Sequence, residues 1–366
     1  MTIAPVPTAA ASVHSAAVMS VEAEMAQVTI TIDALFARKF AASNAYGEQA
    51  RRLWETASQT VRGGKGVRPR VLLSAYKALT GTTRATGPAI EAAAAVELLH
   101  YAFLLHDDVI DSDTVRRGRP NLLGAMAADL EPSPRAAHWG STASILMGDL
   151  VLSAAYQAFS RIDLPTEARR RVLDVLDATI DETVVGELMD VALSDGVRTP
   201  SLSAILDMAA NKTATYTFEL PLRIAAILAD AAEDTEQALA KAGRQLGLAF
   251  QLDDDLLGVF GDSSYGKDTR SDLAEGKQTA LIAFARHTDE WAEIEPLFGR
   301  ADLTEAEAFL VRGLLIQCGA KEKVEALRDA ALAYVFDACN SDPRLVPPAI
   351  ADVLNTFATG LAGRRS

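Results

Sequence analysis

A chain of 366 residues, 49% of them hydrophobic, can bury a large core without disulfides or a structural metal, as one large domain or two ordinary ones. Its net charge of -14 argues against nucleic acid as a general partner and against an anionic membrane surface, because both demand basic faces. The two cysteines, Cys318 and Cys339, lack metal-ligand spacing, which argues against thiol chemistry and fits a reducing compartment.

In chain order, residues 1–37 hold no Lys or Arg and so lack the basic start of a signal or transit peptide. Pro5, Pro7 and the Ala/Ser-rich stretch after them are expected as a disordered extension over residues 1–20, with 21–366 as one all-helical domain. From Val21 onward apolar residues recur at three- and four-residue spacing, Ala and Leu dominate, and strand-like alternation is scarce. Breakers separate the helices at Gly63-Gly64, Gly87-Pro88, Gly118 with Pro120, Pro132 with Pro134, Pro165, Pro200, and Gly261 to Gly266. Pro88 suits a first helical turn, and the helix it opens is expected to reach the acidic segment near Asp111. Ala92 to Leu105 and Ser141 to Ala154 are apolar on most of their circumference, as in helices at a bundle centre or against a partner subunit; plain core packing is the simpler account. No apolar run approaches the roughly 20 residues that span a bilayer. The expectation is an all-α, soluble, cytoplasmic protein without a transmembrane segment.

The first acidic cluster is His106-Asp107-Asp108-Val109-Ile110-Asp111. On a helix Asp107 and Asp111 share one face, about 6 Å apart in rise, while Asp108 is turned away by about 100°. These carboxylates follow an apolar stretch, Ala102 to Leu105, and burying them unpaired is costly, so the arrangement calls for a cation. Only oxygen ligands are offered, which selects a hard ion such as Mg²⁺ over zinc. The second cluster, Asp253-Asp254-Asp255, again ends an apolar helical stretch, Leu246 to Phe250. Either cluster alone could be a solvated helix end or a calcium-like loop. The basic residues Lys65, Arg68 and Arg70 bunch in one segment, and Arg116, Arg117 and Arg119 in another directly after the first cluster. Metal-binding carboxylates beside fixed cations are what a diphosphate requires.

With these motifs in order, the chain resembles the trans-type polyprenyl diphosphate synthase family, geranylgeranyl diphosphate synthase-like and of the bacterial type. The matching elements are Gly64 to Pro69, Asp107 to Gly118, Gly148-Asp149, Lys212-Thr213, and Phe250 to Lys267. The resemblance implies a single large helical bundle of the isoprenoid synthase type, a homodimer, and an enzyme that condenses isopentenyl diphosphate with dimethylallyl, geranyl or farnesyl diphosphate. It also implies the roles of individual residues. Asp107 and Asp111, with Asp108 beside them, would hold Mg²⁺ ions on one side of the allylic diphosphate, and Asp254 a third ion. Arg116, Lys212 and Lys267 would contact that diphosphate. Lys65, Arg68, His100 and Arg117 would hold isopentenyl diphosphate, and Thr213 and Gln251 would face the allylic cation. His106 is read as a hydrogen-bonding neighbour of the carboxylates.

Three positions depart from the family pattern: Gly66 where Arg is common, Gly258 at the last position of the second Asp-rich motif, and Glu187 where Gln is common. Asp253 cannot be assumed to replace the carboxylate missing at 258. In this family, bulk a turn or so before the first Asp limits product length. Small Ala102, large Phe103 and Leu99 beyond them point to a product of twenty carbons, geranylgeranyl diphosphate, with Ile145 and Met147 as other determinants of depth. Farnesyl or longer products, a class I terpene cyclase, and a non-catalytic partner subunit are the alternatives; Lys65, Arg68, His100 and Arg117 argue against the cyclase.

Overall fold

The computed structural model describes residues 9–261 and 269–362, with side chains described from Val21 onward. Of the extension expected as disordered over residues 1–20, residues 1–8 lie outside the described residues and residues 9–20 form the start of a helix, Ala9–Ser43. The described chain is helical almost throughout, as its periodicity predicts. Its backbone contacts divide it into two units, residues 1–173 with 227–230 and residues 174–226 with 231–366.

The first unit is built on α4 (Gly87–Ile110), which packs against α1 (Ala9–Ser43), α3 (Val67–Thr80) and most extensively α6 (Ala136–Arg161). Thr86 precedes it with extended backbone and Pro88 occupies its first turn, as the sequence predicts. Ala92 to Val96, Leu98, Leu99, Ala102 and Leu105 are buried, so nearly the whole circumference of α4 is core. Among the described residues it is the one helix long and apolar enough to cross a membrane, but most of its apolar window is buried inside the protein. Small α4 residues let α6 approach closely. A Cβ at Gly148 of α6 would come within 2.6 Å of the His106 ring. α2 (Glu48–Thr60) and α5 (Leu122–Ala128) complete this layer.

The short α3 starts from Gly66, whose φ of 58° is left-handed. A Cβ there would also meet the Met25 Cε of α1 at 2.5 Å. Glycine at this position therefore has a local cause: an L side chain would be strained by the left-handed φ and would have to displace the Met25 methyl.

In the second unit, α10 (Glu233–Phe260) turns Leu252, Leu256 and Val259 into a core shared with α12 (Ala280–Ala285), α14 (Glu305–Gln317) and α15 (Ala320–Ser341). That spacing of four and three residues defines one face. It leaves Gln251, Asp254, Asp255 and Gly258 on other faces. α8 (Leu202–Ala209) runs directly into a π-helix, Ala210–Glu219, followed by α9 (Leu220–Leu228). The π-helix is packed backbone to backbone on two sides. A Cβ at Gly186 of α7 (Thr166–Ser194) would lie 2.7 Å from the Lys212 Cα, and one at Gly247 of α10 would strike Ala214.

Candidate active site

In the first unit the chain leaves α4 at Asp111, which caps the helix with its N–H bonded to the Asp107 carbonyl at 2.9 Å. A two-residue hairpin follows, β1 (Val115–Arg116) and β2 (Arg119–Pro120), with Arg116 opposite Arg119. Arg117 and Gly118 both have positive φ, 56° and 72°, the signature of a type I′ turn. The hairpin folds Arg116 back over the acidic turn. Its Nε donates to Asp108 Oδ1 at 2.8 Å and its Nη2 to Asp107 Oδ2 at 3.1 Å. Asp108 is 3% exposed. Burial pushes its carboxyl up, against the opposing pull of Arg116 and of the Asn121 amide. Asn121 itself caps α5, accepting from the Gly124 N–H at 2.9 Å.

Behind the hairpin lies a cavity of 380 Å³ lined by Gly63, Gly64, Glu97, His100, Asp108, Arg116 and Arg117, among others. A Cβ at Gly64 would lie 3.4 Å from Glu97 Oε1 and 3.5 Å from Arg117 Nη2, so this loop passes close over a buried acid and a guanidinium. Burial, then the fields of Arg68, Arg117 and Arg116, hold His100 well below the usual imidazole range. Its ring is therefore neutral at physiological pH. Burial raises Glu97 despite Arg68 and Arg117. The fields of Arg68, Arg116 and Arg117 thus all reach His100, whereas the sequence reading sets Arg116 apart with Lys212 and Lys267 and groups Lys65 with the others. Lys65 is exposed and Asp111 sits at the open end of the helix. His106 Nε2 lies 3.4 Å from Asp149 Oδ1, so the Gly148-Asp149 pair does two jobs: the glycine makes room for the ring and the aspartate faces it.

In the second unit, the π-helix carries Lys212 and Thr213. Lys212 Nζ donates to Glu187 at 3.0 Å and to Asp190 at 2.7 Å, both on α7. Glu187, one of the departures, is therefore a direct partner of the lysine. Arg244 of α10 ties the π-helix down through Asn211 at 2.5 Å and Glu219 at 3.2 Å, and reaches Glu182 at 2.8 Å. Gln251 Nε2 donates to Asp255 Oδ1 at 2.8 Å. Desolvation pushes Asp255 up to about 7; the Gln251 bond opposes this, while Asp272, Asp254 and Asp190 add to it. Asp253 faces the other way: it is fully buried, with Arg328 Nη1 of α15 at 3.6 Å. Lys267 lies outside the described residues.

The family model described as polyprenyl synthetase matches residues 50–309, well over half of the chain. The chain belongs to the polyprenyl synthetase family. Among similar proteins, the geranylgeranyl diphosphate synthase of Methanosarcina mazei is 32% identical over 276 residues, 75% of this chain and 77% of that protein. That of Mycobacterium tuberculosis is 32% identical over 300 residues, 79% of this chain and 80% of that protein. A solved structure of the Corynebacterium glutamicum geranylgeranyl pyrophosphate synthase, complexed with isoprenyl diphosphate and magnesium, superposes with a TM-score of 0.82 at 28% identity, covering 93% of this chain and 99% of that one. The all-α bundle expected from the motifs is therefore the fold of this polyprenyl synthetase, which is a prenyltransferase.

The donors suit a hard divalent cation, because the acidic side chains of both units offer only oxygen. Among the described residues no three His, Cys, Asp or Glu side chains are grouped as a finished metal site. Sequence reasoning missed Glu97, Asn121, Asp190 and Asp272. Glu97 had a signal: an acid three residues before His100 inside the apolar stretch Ala92 to Leu105.

Proposed function

We propose that this polyprenyl synthetase joins isopentenyl diphosphate to an allylic diphosphate and makes linear geranylgeranyl diphosphate. The observation that carries the reading is the cavity at the end of α4, where a neutral imidazole lies among three arginines beside the Asp107–Asp108 turn. Arg68, Arg117 and His100 would hold isopentenyl diphosphate there, with exposed Lys65 closing on it. His100 can donate a hydrogen bond to a phosphate oxygen without adding charge, while the guanidiniums supply forked, charged donors. Asp107 and Asp111 in the first unit, and Asp254 in the second, would hold divalent cations, most suitably Mg²⁺. When bound, such ions neutralise a departing diphosphate.

Arg116 in the first unit, and Lys212 and Lys267 in the second, would be contacts for diphosphate oxygens. As the allylic carbon–oxygen bond breaks and the isopentenyl double bond attacks, Thr213 and Gln251 would turn oxygen toward the cation. The released diphosphate can accept the proton lost in the final elimination. Ala102 and Leu99 are fully buried on α4 and Phe103 is half-buried, which supports their role beneath the tail. Ile145, Leu146, Leu150 and Tyr156 form an exposed apolar stripe on α6, suited to a second copy of the chain.

Incubation with Mg²⁺, isopentenyl diphosphate and each allylic starter, followed by product sizing, tests the reading. A twenty-carbon allylic diphosphate is expected. No condensation with any starter would refute the activity, and a shorter or longer product would refute the product assignment. Asp107→Ala and Asp254→Ala should each nearly abolish condensation.

A further inference from the structure

One guanidinium in the second unit reaches three successive turns of the π-helix. Arg244 Nη2 donates to Asn211 Oδ1 at 2.5 Å, while its Nη1 lies 3.4 Å from Thr215 Oγ1 and 3.2 Å from Glu219 Oε2. Acceptors spaced four residues apart fall along one side of a helix. The same Nη1 donates to Glu182 of α7 at 2.8 Å, one turn before Gly186 and on the helix that supplies both acidic partners of Lys212. Among the described residues, Arg244 is the only hydrogen-bond partner of the Asn211 side chain, and Asn211 directly precedes Lys212 and Thr213. Along α10, Arg244, Gly247 and Gln251 are spaced three and four residues apart and share a face. Gly247 packs on Ala214, the residue after Thr213, so that face is the one turned to the π-helix.

We propose that Arg244 is a positioning residue: by tying Asn211, Thr215 and Glu219 to α10, it keeps Thr213 in register with Gln251. This rests on the reading of Thr213 and Gln251 as the oxygens that face the allylic cation. Arg244 exchanges no proton and touches no substrate; it acts only through the alignment of the two helices. Its loss leaves the fold other supports. Glu219 keeps Arg223 at 3.6 Å, and the glycine contacts on both flanks of the π-helix remain. A misplacement of about 1 Å at reacting groups costs on the order of a hundredfold in rate. None of the contacts of Arg244 involves Arg68, His100 or Arg117, so the holding of isopentenyl diphosphate is untouched.

The test is steady-state kinetics with Mg²⁺, isopentenyl diphosphate and farnesyl diphosphate, with the thermal transition of each variant as a folding control. Arg244→Ala should lower kcat by about tenfold to a hundredfold and leave the KM for isopentenyl diphosphate within about threefold of wild type. Arg244→Lys keeps the charge but not the fork, and should remain at least about fivefold below wild type in kcat. Asn211→Ala leaves the ion pairs of Arg244 in place; it should lower kcat about tenfold on its own and add little to Arg244→Ala, because both cut the same link. Wild-type kcat in folded Arg244→Ala, full recovery in Arg244→Lys, or additive effects of the two alanine substitutions would overturn the inference alone. If Arg244→Ala does not fold, Asn211→Ala decides, and an unchanged kcat there overturns it. If the wild type condenses no allylic diphosphate, the functional reading falls and this inference with it.

Discussion

Arg116 is expected to hold the acidic turn together before any substrate arrives, and this can be measured without catalysis. Arg116→Ala leaves the Asp108 carboxylate, 3% exposed, without the guanidinium that now contacts it at 2.6 and 2.8 Å. Removing one partner of a buried pair costs about 3–5 kcal/mol. Two features place this case at or below the lower end. The Arg116 side chain is 31% exposed, so solvent already shares its charge, and the Asn121 amide still reaches Asp108. A loss of about 2–3 kcal/mol follows, a fall of roughly 4–12 °C in Tm for the unit concerned. Asp108→Asn in the Arg116→Ala background removes the stranded charge and should recover all but about 1 kcal/mol. The assay is urea and thermal unfolding by circular dichroism at neutral pH in chelator. Turnover should stay low in both variants, because the arginine is absent from each. Destabilisation by Arg116→Ala below about 0.5 kcal/mol, or no recovery on adding Asp108→Asn, would refute the pairing as the cause.

His100 gives a pH-dependent test. Its folded pKa is depressed below 6.5, so the unfolded chain binds the extra proton first and stability is lost as pH falls below 6.5. The groups bearing on it are Arg68, Arg116 and Arg117, with Glu97 lining the same cavity. His100→Gln should flatten that part of the stability–pH curve; an unchanged slope would show the imidazole is not its source. Gly66→Arg, which restores the common family residue, should destabilise the protein by about 1–3 kcal/mol through its left-handed φ and the Met25 contact, as read from denaturant midpoints. Product sizing should show shorter chains from Ala102→Tyr and longer ones from Phe103→Ala; unchanged products from both would move the floor elsewhere. Leu146→Arg on the exposed stripe of α6 should shift a dimer to monomer in light scattering, and an unaltered mass would remove that face from consideration.

Much of the first unit could be read in advance because its determinants are local. Pro88, the apolar run behind it and the acids at its end fix the course of α4. The 100° turn between neighbours also separates Asp108 from Asp107 and Asp111. What spacing could not reveal is where Asp108 points: its partner is Arg116, brought back by a turn that depends on two positive φ angles. The second unit was less legible because its contacts are long in sequence. Asp190 meets Lys212 across 22 residues, and Asp272 meets the Gly258 position from a separate helix. Nor does any local pattern announce a π-helix, whose wider hydrogen-bonding step is sustained by packing rather than propensity. The three departures fare differently: Gly66 has a steric cause, Glu187 a lysine partner, and Gly258 a neighbour in its place.

The ten-residue π segment is clamped at both flanks, by the glycines of α7 and α10 and by the side chain of Arg244. Its phase is consequently set from outside. Losing one residue would tighten part of the segment toward an α-helix, and the residues between the clamps would shift against them. The lysine–threonine pair on one side of the cut and the arginine's anchor at Glu219 on the other would lose their common alignment, so this stretch tolerates substitution far better than a change of length.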